Sequence, residues 1–224
     1  MADERSIGVI LRTRPLTETS LIVNWLTPEL GRVATVAKGA RRPASPFRGK
    51  LDLFYEAEFS FNRSRRSDLH TLREVGRTES HPALRLNLDR LEQGAYFVAL
   101  IEQSTEIETP VPELYQLMVS VLDPLETCDP RPEMVFAFEI KLLTFLGLGP
   151  DWDDTRLTDG AREMGRCLLG FSWQQIQCVR LSIQQSAELR QFLYGFLIQQ
   201  LPRLPLGRSR ALKCGTAGGS PITT

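Results

Sequence analysis

The feature that most constrains this chain is a change of hydrophobic period at His81-Pro82. Before it, apolar residues recur every second position; after it, every third or fourth. A period of two lays side chains on alternate faces of a strand, and a period near 3.6 lays them along one stripe of a helix. Ile7, Val9 and Leu11 alternate with Ser6, Gly8, Ile10 and Arg12, and Leu21, Val23 and Trp25 repeat the pattern. A Pro28–Gly31 turn leads into the β-branched run RVATVAK. LFYEAEFSF (53–61) puts Leu53, Tyr55, Ala57, Phe59 and Phe61 on one face, leaving Phe54, Glu56, Glu58 and Ser60 mostly on the polar one, and LHTLREV supplies a fifth strand. Five short strands without a helical stretch among them predict a small closed or nearly closed barrel, of which the OB type is the commonest five-stranded form.

Beyond Pro82, Leu84, Leu88, Leu91, Ala95, Val98 and Ile101 predict one helix over 83–105. Pro110 and Pro112 introduce a second, burying Leu114, Leu117, Val121 and Leu122. Pro130 and Pro132 open a third, EMVFAFEIKLLTFLG, which Gly147 and Gly149 stop. DWDDTRLTDG reads as a loop. The last helix carries Leu189, Leu193, Phe196, Leu197 and Leu201 as its stripe. The expected fold class is therefore α+β: an OB-type barrel over 1–80, an all-helical domain over 81–213, and a disordered tail over 214–224 with nothing to bury.

Charge narrows the function. The chain has 27 basic and 27 acidic residues, yet 32–50 hold six cations and no carboxylate. Residues 1–80 carry 14 cations against 10 acids, and 81–224 carry 13 against 17. A local positive field recruits polyanions, nucleic acid above all. The candidate strand-binding set is Arg14, Lys38, Arg41, Arg42, Arg48, Lys50, Arg65, Arg66 and Arg73, with Arg12 and Arg63 beside them. Phe47 lies among the cations as either a stacking platform or a plug of the barrel. The row Tyr55, Phe59, Phe61 belongs to the apolar face and reads as core. Without a base-reading pattern, recognition should rest on the sugar-phosphate backbone.

Catalytic chemistry finds little support. His70 reads as a strand histidine and His81 as a loop residue at the domain junction. No Ser or Cys sits in an activating motif, and no G-x-x-x-x-G-K-[ST] cradles a nucleotide. Asp151, Asp153, Asp154 and Asp159 lack the glycine and bidentate Glu of a calcium loop. The four cysteines, Cys128, Cys167, Cys178 and Cys214, form no C-x-x-C pair, which suits reduced thiols in a cytoplasm. No apolar stretch reaches the roughly 20 residues of a membrane span. MADERSIGV has no apolar core of a secretory signal.

An ordered series of short motifs gives a resemblance. Thr13, Arg14 and Glu18–Leu21 are followed by L-T-P-E-L-G-R-V (26–33), V-A-K-G-A-R-R (36–42), F-R-G-x-L (47–51) and L-H-T-L-R-E (69–74). F-E-x-K-L-L-x-x-L-G (138–147) and L-G-R-S-R (206–210) follow. The succession resembles the RecO family of bacterial recombination mediators over about residues 5–213. The resemblance implies binding of single- and double-stranded DNA, annealing of complementary strands, and no catalytic centre. It also implies work with RecR and RecF to help RecA replace single-strand-binding protein, in the cytoplasm at the nucleoid.

Two departures stand out. Many members carry a four-cysteine zinc module after the L-G motif; here that stretch is short and lacks C-x-x-C, so neither metal nor cofactor is expected. In some members basic residues ahead of F-E hold the acidic tail of single-strand-binding protein. Here Val135, Phe136 and Ala137 precede Phe138, and the expected tail site is Arg131, Lys141, Leu142 and Phe145, which as core residues would explain the apolar pair equally well. The competing reading from the residues is a general RNA-binding OB module, which would share the cationic barrel.

Overall fold

The computed structural model describes residues 3–154 and 156–213; the expected tail 214–224, with Cys214, lies outside them. Five strands close into a barrel: β1 (Asp3–Pro15), β2 (Leu21–Thr27), β3 (Gly31–Ala37), β4 (Glu56–Asn62) and β5 (Leu69–Glu79). Their order is β1-β2-β3-β5-β4, with β3 and β5 parallel and every other pair antiparallel. This is the expected OB-type barrel.

Closure explains where simple alternation fails. β1 serves two neighbours, pairing with β4 through Asp3–Val9 and with β2 through Val9–Pro15, and its register shifts between Ile10 and Arg12. A bulge bends the strand from one partner to the next. Ile10 therefore points into the barrel, while Val9 and Leu11 are buried without joining the interior cluster. The fourth strand starts at Glu56, not Leu53. Phe54 adopts φ 65°, its N–H donates to the Ile10 carbonyl at 3.0 Å, and the Ile10 N–H donates to the Tyr55 carbonyl at 2.9 Å. The side chain expected on the polar face is buried, and that burial holds a backbone conformation costing on the order of 1 kcal/mol.

The interior combines Ile10, Val23, Trp25, Val33, Ala37, Phe47, Ala57, Phe59, Phe61, Leu72 and Val75. Trp25 stacks on Phe59 with ring centroids 4.1 Å apart, and its Nε1–H donates to Thr35 Oγ1 at 2.9 Å. The indole is thus buried with its donor satisfied.

By compactness, residues 105–119 group with the barrel, and 82–104 group with 120 onward. The Glu108 N–H donates to the Arg32 carbonyl at 2.9 Å, and Arg32 Nη2 donates to the Thr105 carbonyl at 2.5 Å. Gly31, at φ 68°, lies so close that an added Cβ would stand 2.1 Å from the Thr109 carbonyl oxygen. Only glycine fits both the turn and the approach.

The helices are α1 (Pro82–Leu86), α2 (Leu88–Ser104), α3 (Pro112–Thr127), α4 (Pro132–Phe145), α5 (Asp159–Gly170), α6 (Trp173–Cys178), α7 (Ile183–Gln200) and α8 (Arg208–Ala211). The single helix expected over 83–105 is broken at Asn87, whose Oδ1 accepts the Arg90 N–H as a cap. The buried stripe of α2 is correspondingly Gln93, Gly94, Tyr96, Phe97, Val98, Leu100 and Ile101, while Leu88 and Ala95 are exposed. α4 runs through the middle of its unit, with Glu133–Ile140, Leu142 and Leu143 all buried. A helix apolar on every side is a buried helix. Within it Glu139 is fully buried, accepting the Tyr96 hydroxyl at 2.6 Å and Arg208 Nε and Nη2 at 2.7 and 2.9 Å. That pair ties α8 to the core. Among the described residues no helix is long and apolar enough to cross a membrane.

Candidate nucleic-acid interface

The basic connector between β3 and β4 is an ordered succession of turns. Ala40, Arg42, Ser45, Arg48 and Lys50 each donate their N–H to the carbonyl three residues back. Gly39 and Gly49, at φ 70° and 73°, supply the left-handed positions that reverse it. Phe47 anchors its middle: the ring is in the barrel core, with Ala40, Leu51 and Tyr55 packed against the same cluster. Phe47 is therefore a plug and not a platform, and a connector pinned at that point presents its polar side chains outward.

Two further contacts fix where they point. The Arg41 N–H donates to the Thr19 carbonyl at 3.0 Å and its Nη1 to the Thr17 carbonyl at 3.1 Å, joining the connector to the β1–β2 turn. Lys50 Nζ donates to the Val75 carbonyl at 2.8 Å, joining it to β5. Lys38, Arg41, Arg42 and Arg48 are exposed and Lys50 is half-buried, and among the described residues no carboxylate pairs with any of these five cations. Exposed Arg14 lies on β1 just before the turn that Arg41 grips, opposite Ile22, and exposed Arg73 lies two residues before Val75. The structure thus brings Arg14, Lys38, Arg41, Arg42, Arg48, Lys50 and Arg73 around one end of the barrel.

The remaining expected cations lie elsewhere. Asp3 faces Asn62 at one end of β1 and Pro15 faces Leu21 at the other. β5 starts with Leu69 beside Ala34, whereas the connector leaves β3 after Ala37, so the β4–β5 loop with exposed Arg65 and Arg66 meets the β3–β5 pair at the end opposite to the connector. Arg63 does not contribute a free charge. Its Nε and Nη2 meet the two oxygens of Glu4 at 2.8 and 2.9 Å, and its Nη1 meets Glu108 Oε1 at 2.6 Å. That pairing holds the Glu4 carboxyl below its usual range and raises the guanidinium further. His70, buried, completes the cluster: its Nε2 lies 2.5 Å from Glu108 Oε1, and its Nδ1 accepts the Ser64 N–H at 3.3 Å. No sequence signal announces this network, because its members come from four separate segments.

No aromatic platform accompanies the cations. Trp25, Phe47, Phe54, Phe59 and Phe61 are all buried, and among the described barrel residues Tyr55 alone of the Trp, Tyr and Phe side chains is partly exposed. A surface of cations without exposed rings can grip phosphates and has little with which to stack bases.

The expected tail site on α4 does not assemble as one pocket. Leu142 is fully buried, since α4 is the central helix of its unit. Lys141 Nζ donates to the carbonyls of Leu169 and Phe171 at 2.5 and 2.9 Å, where α5 ends, and lies 5.7 Å from the centroid of the Trp173 ring. Burial pushes its pKa down. Arg131 donates to the Gln177 carbonyl at 2.9 Å and pairs with Glu133. Phe145 is the exposed member.

Comparison with known proteins agrees with the motif succession. Residues 1–81 match the family described as recombination protein O N terminal, and residues 85–159 match recombination protein O C terminal. The DNA repair protein RecO of Idiomarina loihiensis is 35% identical over 145 residues, covering 65% of this chain and 61% of the relative. The one from Salinibacter ruber is 32% identical over 154 residues (68% and 59%), and that of Bacillus pumilus 30% over 149 (66% and 57%). The matched stretch thus spans roughly six tenths of these relatives' own length.

Proposed function

Because this chain belongs to the RecO family, we propose that it is a non-enzymatic mediator of DNA repair and recombination. It binds and anneals single-stranded DNA and helps load a recombinase onto DNA covered by single-strand-binding protein. The observation that carries the reading is the connector 38–50: a Phe47-anchored loop whose five cations have no carboxylate partner among the described residues, flanked by Arg14 and Arg73. Such a surface neutralises successive phosphates without regard to sequence, as a protein that must pair any two complementary strands requires. The reading extends to double-stranded DNA, to RecR and RecF as partners, to RecA indirectly, and to the acidic tail of single-strand-binding protein. For that tail, exposed Phe145 offers an apolar contact, while Lys141 and Arg131 are already engaged by backbone carbonyls.

The test is reversal of Lys38, Arg42 and Arg48 to Glu. Exposed loop charges contribute little to stability, so circular dichroism and the melting temperature should hold. Affinity for an oligodeoxythymidine should fall at least about tenfold, three phosphate contacts being lost. Annealing of complementary strands precoated with single-strand-binding protein should fall with it. Unchanged DNA affinity would overturn the reading. Equal affinity for RNA and DNA together with no annealing by the native protein would favour the general RNA-binding module.

A further inference from the structure

The helical unit carries a charge concentration of its own. Residues 180–213 hold six cations, Arg180, Arg190, Arg203, Arg208, Arg210 and Lys213, against the single carboxylate Glu188, whereas 81–179 hold seven cations against 16 acids. Part of this charge surrounds a groove of about 680 Å³ between α7 and α8. Ala187, Gln191 and Tyr194 line it from α7, and Ser209 and Leu212 from the C-terminal side. Arg190 also lines it; its Nη2 reaches the Leu212 carbonyl at 3.3 Å, and among the described residues no carboxylate pairs with it. Arg210 and Lys213, both exposed, follow the lining residues Ser209 and Leu212 in the chain.

Tyr194 gives the groove what the barrel lacks. It is 49% exposed, and the Arg208 guanidinium, locked by Glu139, stands 5.8 Å from its ring centroid. An aromatic plane steadied by a cation, with a further cation in the lining, matches how single strands are held: stacking for a base, positive charge for its phosphates. A second lining residue bears on the choice of ligand. Glu133 is buried, and its Oε2 has no hydrogen-bond partner. An unpaired carboxylate oxygen suits a ligand that brings N–H donors, as the edges of bases do.

We propose that the α7–α8 groove is a second strand-binding surface, taking single-stranded nucleic acid with a base on Tyr194 and phosphates near Arg190, Arg210 and Lys213. The inference rests on the annealing function proposed above, because joining two strands is served by holding one on each surface.

The test uses the full chain and a short single strand carrying 5-iodouracil, irradiated to cross-link it to stacked aromatic side chains, with adducts mapped by mass spectrometry. An adduct on Tyr194 is expected in the native protein and, at raised protein concentration, in the Lys38/Arg42/Arg48→Glu variant. Tyr194→Leu should slow annealing by about fivefold while affinity for one strand, held by the barrel, changes by less than about twofold. Absence of a Tyr194 adduct while the connector variant loses DNA binding would overturn this inference and leave the annealing function standing. Protection of Tyr194 by an acidic peptide, with no adduct from the strand, would equally overturn it. Adducts on Tyr194 with a connector variant that binds normally would support this surface and remove the barrel from the function.

Discussion

Phe47 shows what a single residue's position leaves open. An aromatic side chain isolated between prolines and cations has no periodic neighbours, so nothing local decides whether it faces solvent or core. The decision comes from the barrel, whose end is filled by Phe47 together with Ala40 and Leu51. Phe47→Ala should therefore lower barrel stability by about 3–5 kcal/mol, measured by denaturant unfolding. Phe47→Leu should leave affinity for single-stranded DNA within about twofold, because the side chain stacks on no base; a large loss of affinity in a folded Leu variant would restore the platform role. Glu139 and Arg208 teach a related lesson. Both stand in the motifs that carry the family resemblance, yet they are 69 residues apart in sequence, and their bidentate contact is a property of the folded core. Arg208→Met should cost about 3–5 kcal/mol by leaving the Glu139 charge buried and unpaired. Replacing Tyr96, Glu139 and Arg208 together by Phe, Leu and Met should recover much of that loss, and a triple variant no more stable than the single one would show that burial of the charge is not the cause.

At the scale of elements, strand count, barrel closure and the switch to helices were legible, because each rests on a hydrophobic period sustained over several residues. What escaped were interruptions of period. The bulge at Ile10–Arg12 lets Val9, Ile10 and Leu11 all be buried, and the cap at Asn87 rotates the stripe of α2. Helices α5 and α6 follow a stretch read as an acidic loop, although Ser172-x-x-Gln175 and Ser182-x-x-Gln185 form capping boxes at the starts of α6 and α7 and were available as signals. The candidate site divides the same way: the connector was legible as a charge run, whereas the removal of Arg63 into a clamp was not. That clamp makes a prediction about acid. Glu4 has its carboxyl depressed below the usual 4.5 by Arg63, so its contribution is fully present above about pH 4.5 and is lost as pH falls through the depressed value. The β4–β5 loop should then loosen on acidification, seen as falling hydrogen-exchange protection of the Ser64 amide. Glu4→Gln should reproduce the loosening at neutral pH, and protection that stays constant in that variant would show that Glu108 and His70 hold the loop alone.

For the whole molecule, equal numbers of acids and bases mean that average charge supplies no attraction for DNA; whatever affinity exists must come from local fields. Those fields act over short distances, since screening at 0.1 M salt reaches only about 10 Å. A run of cations without carboxylates therefore acts on a strand at contact range even though the average charge of the chain is zero. Binding should accordingly be as salt-sensitive as that of an overtly basic protein. If the five cations of 38–50 all engage phosphates of a single strand, the logarithm of the affinity should fall against the logarithm of salt with a slope of about −3.5, each contact contributing about −0.7. Arg42→Ala should make that slope shallower by about 0.7 and weaken binding equally on every sequence tested. Titrations of oligonucleotides at several salt concentrations measure both quantities. A slope near zero, or an Arg42→Ala variant whose loss depends on base composition, would mean that the strand is held by contacts other than the phosphate grip assigned to the connector.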